Sequence, residues 1–155
     1  MGDTLKTRLK QTKDVTIDED YLLNILVAAG YVKKEYEDFC QQYGLTFTHH
    51  NILRILRGVY PNGHSRQAIK ERMIDPSPDV TRVIDAMVKR GLVERFTPNN
   101  DRRISSAKIS DKGLEILEKI DAPMRQFEAN QNNRLTDQEK KMLSVLLEKT
   151  YKDKL

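Results

Sequence analysis

The chain has no tryptophan, a single cysteine and only 6% aromatic residues. With so few large rings the core is lean, and part of the burial is expected to come from a partner chain. The lone thiol, Cys40, excludes an internal disulfide and fits a reducing compartment. No apolar run approaches the roughly 20 residues of a membrane-spanning helix. The opening Met-Gly-Asp-Thr-Leu-Lys lacks the apolar core of a secretion signal. A soluble, cytoplasmic protein is therefore expected. Catalytic patterns are missing too: there is no glycine-rich phosphate loop, no serine with a histidine base in a recognised order, and no carboxylate pair in a motif. An enzyme is not expected, nor is a cofactor. At 155 residues, without internal repeats or low-complexity linkers, the chain has room for one structural unit with helical arms.

What is present is charge, unevenly placed. The net value is only +4, yet residues 66–112 carry 11 basic and 7 acidic groups, whereas residues 14–65 carry 4 basic and 7 acidic. A basic segment on an otherwise neutral body suits phosphate contacts, although a solvated surface would carry the same charges.

From Thr16 onward Leu22, Ile25, Leu26, Ala29, Val32, Tyr36, Phe39 and Tyr43 recur at helical spacing. Thr16 and Glu19 form a capping-box signature, and Gly44 suits a left-handed stop. Gly30 in the middle suggests close packing or a kink. A second helix is expected to open at Thr48 and run through Ile52, Leu53 and Leu56 until Pro61-Asn62-Gly63 breaks it. Ser65 then caps a short helix burying Ala68, Ile69 and Met73. The joint Asp75-Pro76-Ser77-Pro78 follows, with Ser77 as the expected cap and Pro78 in the first turn of the next helix. That helix buries Val80, Val83, Ile84, Met87 and Val88, leaves Asp79, Thr81, Arg82, Asp85, Ala86 and Lys89 outside, and ends at Gly91. Strands are expected at Leu92–Phe96 and Ala107–Ile109 around a polar loop. Ser110 caps a further helix that Pro123 should kink, and Leu135-Thr136-Asp137-Gln138-Glu139 starts the last one.

Two short helices, a strand, an arginine-tipped hairpin and a returning strand form the layout of a winged helix-turn-helix that grips duplex DNA. The fold expected is mainly α with a small β-hairpin wing (α+β), its core flanked by N- and C-terminal helices. Its second short helix would enter the major groove, where each base pair has its own donor and acceptor pattern. Ser77, Pro78, Asp79, Thr81 and Arg82 stand at its start, and Ser65, Arg66 and Gln67 open the preceding helix. Arg82 has the planar fork that matches guanine. Asp79 either accepts from cytosine or stabilises the positive helix end, the second reading being preferred. In the hairpin, Asp101 and Arg103 would share a side of an extended segment, letting the carboxylate aim the guanidinium into a narrow minor groove. Arg102 and Lys108 complete the candidate DNA contacts.

Val80-Thr81-Arg82-Val83-Ile84-Asp85, Lys89-Arg90-Gly91-Leu92-Val93-Glu94-Arg95, Asp101-Arg102-Arg103 and Lys108-Ile109-Ser110-Asp111-Lys112-Gly113 together resemble the MarR family of bacterial regulators. The likeness is strongest over Thr46 to Gly113. It implies a homodimer built from the first and last helices, residues 1–45 and 114–155, which presents the winged cores, 46–113, to a pseudo-palindromic operator. It also implies a ligand-responsive regulator, most often a repressor, with aromatic acids as a common effector class. Arg103 matches the family's minor-groove wing arginine and Asp101 its partner. The joint Ile74-Asp75-Pro76-Ser77-Pro78 differs from the Gly-Leu-Ser-type turn more common in the family.

Three alternatives stand beside this reading. His49, His50 and His64 lack a neighbouring cysteine or carboxylate pair that would complete a metal site, so no metal is expected. Cys40, preceded by Glu37 and Asp38, has nothing local to lower its pKa, which favours a packed thiol over an oxidant sensor. The same fold serving only protein interaction is the remaining rival.

Overall fold

A computed structural model describes residues 2–76, 79–97, 106–131 and 134–154. The chain divides into two compact units, Met1–Leu114 and Glu115–Leu155. The first opens with a short helix, α1 (Asp3–Leu9), additional to the expected elements, followed by the long α2 (Ile17–Gln41). Thr16 and Glu19 close the expected capping box: the Glu19 amide donates to the Thr16 hydroxyl at 3.2 Å, and the Thr16 amide donates to the Glu19 carboxylate at 3.0 Å. Gly44 takes the left-handed conformation, with φ +68°, and turns the chain into α3 (Phe47–Arg57).

That third helix starts earlier than the expected Thr48. Thr46 sits in extended backbone and its hydroxyl accepts from the His49 amide at 3.1 Å, so the chain is helical from Phe47. A two-residue strand, β1 (His64–Ser65), then α4 (Arg66–Arg72) and α5 (Val80–Lys89), lead to β2 (Val93–Phe96) and β3 (Ser106–Ile109). The Ser65 hydroxyl caps α4 by accepting from the Ala68 amide at 3.2 Å. The α5 cap is Asp79, where Ser77 was expected; a carboxylate both accepts the orphan amides and opposes the positive helix end.

The sheet has three strands in the order β1-β3-β2, all antiparallel, with Val93 opposite Ile109 and His64 opposite Ala107. A hairpin alone was expected. The third strand depends on Gly63, where an added Cβ would lie 2.2 Å from the Ala107 carbonyl oxygen, so only glycine lets β1 approach. Gly113 serves the same end at the start of α6 (Asp111–Gln131), its missing Cβ leaving room for the Leu92 carbonyl oxygen at 2.4 Å.

The core of this unit lies between the three-helix cluster and the sheet. Ile52, Leu53 and Leu56 of α3, Ile69 of α4, Ile84 and Met87 of α5, Leu92 just before β2, and Val93, Ala107 and Ile109 of the sheet are all nearly or wholly buried. Apolar spacing therefore marked the right faces, with Val83 and Val88 only half-buried. On α2, by contrast, Tyr21, Leu22, Leu26, Tyr31 and Val32 are exposed, and an added Cβ at Gly30 would meet nothing.

In the second unit α6 runs on through Pro123, and Leu117, Ile120 and Met124 are buried. A capping box at Thr136 and Glu139 opens α7 (Asp137–Lys149), as expected, yet none of its residues is buried. Met142, Leu143, Val145, Leu146 and Leu147 stand exposed. No helix among the described residues is long and apolar enough to cross a membrane.

Candidate nucleic-acid interface

The outer face of α5 is polar because its inner face is committed to the core. Val80, Ile84 and Met87 point inward at helical spacing, which leaves Arg82, Asp85, Ala86 and Lys89 exposed and Thr81 half-buried. Asp79 uses Oδ1 to accept from the Thr81 amide at 3.1 Å and from the Arg82 amide at 3.3 Å. Its other oxygen, Oδ2, lies 3.2 Å from Arg82 Nε, and the Arg82 side chain is 88% exposed. The expected base-contacting arginine is thus solvent-facing at the first turn of the helix.

Beside it, the start of α4 joins the same surface. Arg66 Nη1 donates to Thr81 Oγ1 at 2.9 Å, a link between the two short helices that side-chain spacing alone could not reveal. Gln67 is exposed and its amide donates to Glu71 at 2.8 Å along the helix. Ser65 is taken up by its capping role. Lys108, expected on phosphate, faces Glu94 across the strand pair with Nζ 3.1 Å from the carboxylate. Ser77, Pro78 and the expected wing residues Asp101, Arg102 and Arg103 lie outside the described residues.

Supports behind this surface connect it to the long helix. Lys33 on α2 reaches Asp75 in the α4–α5 joint at 2.5 Å, and the Ile74 amide donates to Asn51 Oδ1 at 3.0 Å. At the far end of α5, Arg90 Nη2 donates to the Gly44 carbonyl at 2.5 Å, while Lys112 Nζ and Ser110 Oγ donate to the Arg90 and Gly91 carbonyls. These bonds bridge 19 to 46 residues, and no local pattern signals them.

The sensor candidates Cys40 and His49 lie at the junction of α2 and α3. Cys40 is wholly buried, and burial pushes its thiol up to about 11, with the Glu37 carboxylate adding to the rise. A thiol held protonated is a poor nucleophile toward oxidants. His49 is half-buried and its Nδ1 accepts from the Thr46 amide at 3.2 Å, so the ring is neutral there. Burial, then the Arg90 guanidinium, lower its pKa, against an opposing pull from Glu37. Among the described residues no three His, Cys, Asp or Glu side chains gather as a metal site would need.

Comparison with known proteins adds an independent line. A sequence model described as the MarR family matches residues 45–105, the stretch that contains both short helices. A solved MarR transcription factor from Planctomyces limnophilus is 32% identical, with a TM-score of 0.66 over 88% of this chain and 98% of that one. A mutant MarR from E. coli complexed with operator DNA superposes with a TM-score of 0.76 at 21% identity, over 89% of this chain and 99% of that one. BpsR of Bordetella bronchiseptica, whose DNA binding is regulated by 6-hydroxynicotinic acid, gives 0.76 at 19% identity, over 89% and 97%.

Proposed function

The chain belongs to the MarR family of transcription regulators, and on that premise we propose that it is a homodimeric, sequence-specific reader of duplex DNA. Its operator is pseudo-palindromic and its action is that of a ligand-responsive repressor. The observation that carries this reading is the exposed polar start of α5, where Thr81 and Arg82 stand beside Arg66 on a helix whose other face is core. Such a helix fits a major groove, and the basic segment around it supplies phosphate contacts. On this reading Arg82 specifies a guanine. Ser65, Arg66, Gln67, Ser77, Pro78, Asp79 and Thr81 line the groove face. Arg102 and Lys108 meet phosphates, and Arg103, held by Asp101, enters the minor groove.

The homodimer is supported by apolar surface left open on two helices. Leu22 and Leu26 of α2 and Met142, Leu143 and Leu146 of α7 are each exposed by 45% or more, and large apolar side chains repeated along a helix face suit burial against a partner. A second copy covering them would set the spacing of the two reading helices near one DNA turn, roughly 34 Å, or a multiple. An effector that binds the spaced and unspaced forms unequally would then control release. The relative regulated by 6-hydroxynicotinic acid supports an aromatic acid as the class to test. The buried, protonated Cys40 gives the oxidant-sensing alternative no reactive group.

Two measurements test the reading. Sedimentation of the full chain should give a dimer, and Leu26→Glu with Leu146→Glu should give a monomer that still folds. A gel shift on the promoter of its own gene should be specific at nanomolar protein and weaken steeply with salt. A dimer with no salt-sensitive shift would make the protein-interaction rival the better account.

A further inference from the structure

Resting on the reading of Arg82 as the base-contacting arginine, we propose that Asp79 is its positioning residue. One carboxylate oxygen caps α5 and the other pairs with the guanidinium on its Nε side, which leaves Nη1 and Nη2 open to the base. The two oxygens have separate partners. Oδ1 accepts from the Thr81 and Arg82 amides at 3.1 and 3.3 Å, and Oδ2 lies 3.2 Å from Arg82 Nε.

A guanidinium reads guanine with two parallel N–H groups directed at O6 and N7. It has more than one edge that can do so, and a long, exposed side chain samples them all. Ion pairing on the Nε side with a carboxylate whose own position is set by two backbone amides biases that choice against the Nε edge. Among the described residues no acceptor engages Nη1 or Nη2, so that edge is the one left for DNA. The neighbouring Thr81 hydroxyl accepts from Arg66 Nη1 at 2.9 Å.

Specificity gained this way has an electrostatic cost. A carboxylate at the groove repels phosphate from any sequence, so Asp79 lowers affinity for all DNA while sharpening the reading at one base. Because the pair is solvent-exposed, its effect on discrimination is modest, roughly two- to fivefold.

The test uses the full-length protein and the tightest duplex that wild type selects from a randomised library, together with all single-base variants of that duplex and a random duplex. Asp79→Asn keeps a good helix cap and removes the charge. It should lower discrimination roughly two- to fivefold at the one base-pair position where Arg82→Ala also loses it, raise affinity for random DNA, and leave the melting temperature close to wild type. In the Arg82→Ala background, Asp79→Asn should change no position. Asp79→Asn that leaves that position unchanged, or that shifts discrimination at a different position, overturns the positioning role. Arg82→Ala that loses discrimination at no position overturns the direct-readout premise instead, so the two failures are distinguishable.

Discussion

Acidification should loosen the junction between α2 and α3, and His49 is the group responsible. Its Nδ1 accepts from the Thr46 amide at 3.2 Å and closes a capping box in which histidine stands where glutamate or glutamine is usual. The Arg90 guanidinium lies 3.5 Å from the same nitrogen. Protonation would turn that acceptor into a donor facing an amide N–H and a fixed cation. The fold therefore favours the neutral ring and lowers its pKa below the ordinary 6.5, through burial first and Arg90 second, with Glu37 opposing. The stabilisation is complete above pH 6.5 and is lost as pH falls from there through the folded-state pKa. One backbone hydrogen bond is at stake, about 1 kcal/mol, or roughly 2–4 °C in melting temperature for a chain of this size. His49→Gln supplies the same acceptor without a titrating group. Thermal melts of both proteins at pH 7.5 and 5.5 should show wild type losing about 1 kcal/mol more than the variant. His64, also lowered by burial and Arg72, is common to both proteins and cancels in the difference. Equal losses in the two proteins would refute the argument.

Other outcomes follow from the same geometry. Gly113→Ala should cost about 2–3 kcal/mol in urea denaturation, because its Cβ would press on the Leu92 carbonyl and on Ile109. Gly30→Ala should instead raise stability by about 0.5–1 kcal/mol through helix propensity, and a fall would place Gly30 in a tight contact between subunits. Arg82→Ala should weaken the selected duplex by about 1–3 kcal/mol and relax one base position, whereas Lys108→Ala should weaken every duplex and reduce the salt slope by about 1. Glu94→Gln, by releasing Lys108, should tighten binding to all sequences alike, and an unchanged random-DNA affinity would remove Lys108 from the phosphate contacts. Cys40 should resist alkylation at pH 8 in the native protein and react only on unfolding; rapid native reaction would contradict its burial.

The helix-turn-helix was legible in the sequence because its signals are local. The apolar steps from Ile52 to Leu56 and from Val80 to Met87 named the buried faces, and both full Thr–Glu capping boxes appeared where the spacing placed them. Local signals also misled where two residues competed for one role. Ser77 and Asp79 both suit a cap, and the carboxylate holds the position; Thr48 yielded to Thr46 because a histidine three residues on can serve as the return acceptor.

By itself, then, the sequence determined the helices, their inner faces, the basic segment around α5 and the family to which the chain belongs, since each is set by residues a few positions apart. The tertiary structure alone decided what those pieces do to one another. It brought Arg66 onto Thr81, Lys33 onto Asp75, Arg90 onto the Gly44 carbonyl, and β1 onto β3 past Gly63. These partners are 15 to 46 residues apart or meet through backbone atoms that carry no side-chain code, so only packing of the core could bring them together.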